Sequence, residues 1–150
     1  MLTQLIYYSH LADNKNASIN LVRNILEVSE ANNVRDRLTG FLIFDKTNFL
    51  QILEGNKADI ERTYRRICAD ERHGTIVLID RREIQSRDFK DWAMGGYVRT
   101  SETQPIYARH GIEGQVNPEA LKADQVITLA QDLLRFEAER QSLRGLSSRT

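Results

Sequence analysis

The chain is poor in the residues that staple a fold or assemble a catalytic centre. Cys68 is the single cysteine among 150 residues, so no internal disulfide can form and no metal-binding framework exists. A reducing compartment follows most simply, and cytoplasmic localisation is expected. Neither charge sign is in excess: 21 Lys and Arg balance 21 Asp and Glu. That balance leaves no electrostatic footprint for nucleic acid or an anionic membrane. No apolar run approaches the roughly 20 residues that span a bilayer. The start, Met1-Leu2-Thr3-Gln4-Leu5, lacks the basic and apolar regions of a signal peptide. HExxH, P-loop and GxSxG patterns are missing, and His10, His73 and His110 are scattered. His10 with Asp13 reads as a solvated loop pair, so a non-enzymatic protein is expected. Only two prolines occur, Pro105 and Pro118; with Gly111 and Gly114 they mark residues 101–118 as a connector.

What is present is a regular alternation of apolar segments. Leu5-Ile6-Tyr7-Tyr8 is a strand candidate, followed by a polar loop from His10 to Asn16. Ser18 can cap a helix carrying Leu21, Val22, Ile25 and Leu26 at helical spacing, ending at Asn32-Asn33. Residues Leu38–Phe44 and Phe49–Leu53 are two apolar runs joined by Asp45-Lys46-Thr47-Asn48, a hairpin signature. Asn56 precedes a second helix, Ala58 to Asp70, with Ile60, Tyr64, Ile67 and Cys68 as its inward stripe. On that stripe Cys68 reads as a small core hydrophobe. Thr75–Ile79 and Trp92–Val98 are two further strands, linked by Ser86 to Lys90.

The order β-α-β-β-α-β-β specifies an α+β, ferredoxin-like sheet with one added strand and both crossover helices on one face. Residues 42–44 and 76–79 are apolar on both faces, so the second face needs a cover. A helix pattern from about Asp124, with Val126, Ile127, Ala130, Leu133, Leu134 and Ala138, supplies a C-terminal helical cap or a contact to another subunit. Residues 1–98 thus read as one unit and 99–150 as a linker and helical extension, with Gly145–Thr150 frayed.

The residue that stands out is Gln51, set inside the apolar strand Phe49-Leu50-Gln51-Ile52-Leu53. Alternate side chains share a face, so Phe49, Gln51 and Leu53 point one way. An unpaired amide in a core costs roughly 1–3 kcal/mol, so a polar partner is required. Tyr7 lies on the adjacent central strand, and Asn33 ends the first helix next to the same layer. A self-satisfied Tyr–Gln pair is the plain reading. Three polar groups converging beneath two helices instead suit a flat heterocycle with carbonyls and ring nitrogens. Arg66 and Asp70, one turn apart, read as a local ion pair on a solvated helix face.

Several motifs together resemble the BLUF family of blue-light sensors that use a flavin. They are Leu5-Ile6-Tyr7-Tyr8-Ser9, Ala31-Asn32-Asn33, Leu38-Thr39-Gly40, Phe49–Gly55, Asp70-Glu71-Arg72-His73 and Phe89–Met94. The resemblance covers residues 2 to about 98. It implies a non-covalent flavin, FAD with FMN or riboflavin as alternatives, between the two crossover helices. Tyr7 would be the redox-active tyrosine and Gln51 the switching glutamine, with Trp92 and Met94 as the mobile pair on the last strand. Asn32, Asn33, Arg66 and Asp70 would contact the ring, with Ile25 and Phe49 completing the cofactor-binding set. The implied mechanism moves an electron and a proton from Tyr7 through Gln51 towards the flavin and returns them. The amide is left rotated or tautomerised, with an altered bond to a flavin carbonyl.

With only residues 99–150 beyond the sensor, output is expected through a separate partner, and homo-oligomers through the C-terminal helices. The resemblance suggests a cyclic-di-GMP phosphodiesterase or a response-regulator-like protein as that partner. Two competing readings stand beside it. One is a ferredoxin-like oligomeric adaptor without photochemistry. The other is a small acyl-phosphate hydrolase, for which the His10–Asn16 loop lacks the required arginine.

Overall fold

The computed structural model describes residues 2–11, 19–45, 48–69, 73–90, 95–114 and 116–148. Five strands, β1 (Leu2–Leu11), β2 (Thr39–Asp45), β3 (Asn48–Asn56), β4 (His73–Ile84) and β5 (Gly95–Val98), form one sheet in the order β4-β1-β3-β2-β5. The first four pair antiparallel, and β5 joins the β2 edge in parallel. Helix α1 (Ile19–Asp36) links β1 to β2, and α2 (Lys57–Ala69) links β3 to β4. Helices α3 (Gln104–Arg109) and α4 (Ala123–Ser148) follow β5. This is the expected ferredoxin-like order with its added strand.

Strand alternation divides the core in two. On one face Leu5, Tyr7, Leu42, Phe44, Phe49 and Leu53 pack with Ile60 of α2 and the half-buried Ile25 and Leu26 of α1. On the other, Ile6, Phe41, Ile43, Leu50 and Ile52 pack with Ile106 and Tyr107 of α3 and with Val126, Leu129, Ala130 and Leu133 of α4. Burying one such large apolar side chain contributes about 1.5–3 kcal/mol, so the second face is a core in its own right. Helix α4 is the expected cap, whereas α3 is a short helix, buried at Ile106 and Tyr107, within residues 101–118, which the sequence reading took as a connector.

β2 and β3 approach closely at Gly40. A Cβ there would drive into the Ile52 carbonyl, so only glycine permits the pairing.

Several element boundaries differ from the sequence reading. Helix α1 runs past Asn33 to Asp36. Its stop is Arg37, held at φ 60°, with the Leu38 N–H closing on the Asn33 carbonyl at 2.8 Å, so an arginine fills the left-handed position usually given to glycine. β4 spans His73–Ile84 rather than Thr75–Ile79, because the charged stretch Asp80–Glu83 keeps pairing with Thr3–Ile6. Helix α4 continues through Gly145 to Ser148 instead of fraying there. Burial rather than helix phase corrects a further expectation: Cys68 is exposed. The inner stripe of α2 is Ile60, Thr63, Tyr64 and Ile67, and Cys68 falls just beyond it. Ser18, Asp70, Trp92 and Met94 lie outside the described residues. No helix among the described residues is long and apolar enough to cross a membrane.

Candidate functional site

The β1–β3 register sets Tyr7 directly opposite Gln51. Both are buried, and the Tyr7 hydroxyl donates to Gln51 Oε1. The polar partner that a buried amide requires is therefore this phenol, and the amide oxygen faces it. Leu42 lies across from Gln51 on β2, completing an apolar surround.

Above this pair, α1 and α2 stand apart and leave an open cleft. α1 contributes Ile25, Val28, Ser29, Asn32 and Asn33, and α2 contributes Thr63, Arg66 and Ile67. Spacings of three and four residues place each set on one helix face. Tyr7, Leu42, Phe49, Gln51 and Leu53 form the floor. The walls are thus apolar, while the carboxamides of Asn32, Asn33 and Gln51 and the Arg66 guanidinium supply hydrogen-bonding groups. Asn33 is itself buried. A slot of this kind accepts a flat ring with polar edges.

One observation tests that fit. Thr63 Oγ1 lines the cleft, is buried, and meets no hydrogen-bond partner among the described residues. An orphaned buried hydroxyl costs about 1–3 kcal/mol, and a ligand with acceptors or donors in the cleft would satisfy it. The residues present fit such a group.

Electrostatics hold the cleft's open side. Arg66 crosses to Asp36 at the end of α1 at 3.4 Å, and Arg35 reaches the same carboxylate at 3.3 Å. The Arg35 hydrogen bond, aided by both guanidinium charges and opposed by burial, holds the Asp36 carboxyl below its ordinary pKa. Arg66 therefore ties α2 to α1, a role that the expected pairing along its own helix did not anticipate. Beside the cleft but not lining it, the half-buried Tyr64 ring sits 5.8 Å from the Tyr7 ring at 57°. Burial, then the nearby Cys68, pushes the Tyr64 hydroxyl's pKa up. Outside the cleft, His10 meets Asn48 at 2.6 Å on the surface.

Tyr7, Gln51, Asn32, Asn33, Arg66, Ile25 and Phe49 are all brought together in this one cleft. Sequence reasoning missed Thr63, Val28, Ser29 and Leu42. Helix phase carried the signal for the first three, because residues 25, 28, 29, 32 and 33 share a face, as do 60, 63, 64 and 67.

Comparison with known proteins agrees with the geometry. The family model BLUF, described as sensors of blue-light using FAD, matches residues 2–95. The blue light- and temperature-regulated antirepressor BluF of Escherichia coli strain K12 is 36% identical over 77 residues, covering 51% of this chain. That match spans 19% of the relative's own length. In structure, the photo-activated state of BlsA superposes with a TM-score of 0.78 at 25% identity, covering 89% of this chain and 95% of that one. A bacterial light-regulated adenylyl cyclase superposes with a TM-score of 0.65 at 28% identity, over 90% of this chain and 36% of that one.

Proposed function

The chain belongs to the BLUF family of blue-light sensors that use FAD, and from that premise we propose that the cleft between α1 and α2 holds the flavin ring. Gln51, Asn32, Asn33 and Arg66 would face its polar edge, Ile25 and Phe49 its faces, and the Thr63 hydroxyl would find its missing partner there. When bound, the flavin supplies blue absorption and, once excited, the oxidising power to draw an electron from a nearby phenol.

The observation that carries the reading is the buried Tyr7–Gln51 hydrogen bond at the cleft floor. Tyr7 is the oxidisable group, and its proton already points at the Gln51 oxygen. An electron lost from the phenol makes that proton acidic, and the carboxamide is the acceptor in place to take it. Once protonated at oxygen, Gln51 can return as a rotated or tautomeric amide while Tyr7 regains both its electron and its proton. The new arrangement exchanges a donor for an acceptor towards the cleft. One altered hydrogen bond is worth about 1 kcal/mol net, enough to bias a two-state element several-fold. Nothing is consumed, so the cycle senses light and turns nothing over.

The output completes the proposal. Residues 99–150 and the Trp92–Met94 segment would present the changed state to a separate protein, or to a second copy of this chain. A cyclic-di-GMP phosphodiesterase or a response-regulator-like protein remains the proposed class of partner. The overlap with nearly all of BlsA, and the antirepressor name of the E. coli relative, support output by association.

The test is spectroscopic. Purified protein should be yellow and should shift its absorption to the red under blue light, reverting in the dark. Gln51→Leu and Tyr7→Phe should each retain flavin and lose the normal shift. A colourless protein, or a normal shift in either variant, would overturn the assignment.

A further inference from the structure

A single row of polar side chains crosses the α4-facing side of the sheet, amid an otherwise apolar cluster. The registers set Arg82 against Gln4, Gln4 against Glu54, and Glu54 against Thr39, across β4, β1, β3 and β2 in turn. Glu54 is fully buried. Its Oε1 accepts from the Phe89 N–H at 2.8 Å and the Thr39 hydroxyl at 3.3 Å. Its Oε2 accepts from the Asp88 N–H at 2.8 Å and the Gln4 amide at 3.0 Å. All four neighbours are donors, and a carboxylate is the side chain that only accepts.

The row has two exits. The Gln4 oxygen accepts from Arg82 Nε at 2.8 Å, and Arg82 Nη1 reaches Asp124, in the first turn of α4, at 2.9 Å. At the opposite end, Arg87 donates to the Thr39 hydroxyl at 3.0 Å and to the Arg37 carbonyl at 2.9 Å, where α1 stops. The segment gripped by Glu54, Asp88-Phe89, leads towards β5.

Gln51 and Glu54 sit on the same strand but on opposite faces, roughly 10 Å apart along it. A satisfied polar row inside a low-dielectric core is directional and rigid, where apolar contacts can slide. We infer that Glu54 is a positioning residue that passes a change at Gln51 through β3 to the segment entering β5 and, by way of Gln4 and Arg82, to the start of α4. The inference rests on the reading of Gln51 as the light-dependent switch.

Amide hydrogen exchange of the flavin-loaded protein, dark against lit, tests it. In the unaltered protein, the Asp88 and Phe89 amides and those of Ile127 to Ala130 should change their exchange rates by roughly fivefold or more on illumination, the scale of a typical coupling between sites. Glu54→Gln should keep the red shift and lose the response at both places. Arg82→Met should keep the red shift and the response at Asp88 and Phe89, yet lose it in α4. A merely structural row would not separate the two responses in that way. Arg82 is partly exposed, so the second variant reports even if the first does not fold. An intact α4 response in Arg82→Met overturns the branch to α4, and unresponsive Asp88 and Phe89 amides in the lit unaltered protein overturn the role of Glu54. Absence of any red shift in the unaltered protein is a different failure, that of the site reading itself.

Discussion

Thr63 is a hydroxyl waiting for a partner. Its oxygen is buried beside the cleft without a hydrogen bond among the described residues, a group that costs stability unless a ligand satisfies it. Thr63→Val keeps the shape and removes the orphan. Without flavin, the variant should be more stable by about 1–3 kcal/mol, read from chemical denaturation. Flavin binding then loses what satisfying that hydroxyl contributed, so affinity should fall by roughly 5- to 150-fold. Higher stability with unchanged flavin affinity would mean that the hydroxyl touches no ligand. At this scale the pair Tyr7 and Gln51 was readable from the sequence, because strand alternation exposes a lone amide in an apolar run. Glu54 was not. Its acceptors are filled from β1, β2 and the segment after β4, and no local pattern announces donors that arrive from 15 to 50 positions away. Arg66 was read on its own helix beside Asp70, which lies outside the described residues, and local spacing carries no information about its partner Asp36 on α1.

Elements were legible wherever hydrophobic period and turn residues agreed. Both central strands, the hairpin and the phase of α2 follow from them. The failures share a cause: charged or unusual residues were read as boundaries where tertiary pairing carries the element onward. β4 is the clearest case, since Asp80 to Glu83 remain hydrogen-bonded to β1 although their composition suggests a loop. The end of α1 is another. Asn32-Asn33 has stop chemistry, yet the chain turns at Arg37, whose φ of 60° strains any residue with a Cβ by about 1 kcal/mol. Arg37→Gly should therefore raise stability by about 0.5–1 kcal/mol, visible as a higher thermal midpoint. The Arg87 bond to the residue 37 carbonyl uses backbone only and survives the change. A lower midpoint would place the value of Arg37 in its side chain.

For the molecule as a whole, the sheet is a partition with a separate core on either side. The need for a cover on the second face was readable from strands apolar on both sides, and the helical stripe at 126–134 supplied it. Leu129 is fully buried in that second core. Leu129→Ala should cost about 2–5 kcal/mol of stability while leaving the red shift in place, because the cleft proposed to hold the flavin lies beyond the sheet. Loss of the shift in a still-folded Leu129→Ala protein would show that the two cores are not separable.

The alternation along β3 has an evolutionary consequence. Odd-numbered positions from 49 to 53 look onto the cleft side, Leu50 and Ile52 onto the helical cap, and Glu54 onto Asp88 and Phe89. Successive codons of one short stretch of the gene thus answer to different selective pressures. Under the proposed reading, substitutions at one set would retune colour or dark recovery and those at the other would retune the choice of client.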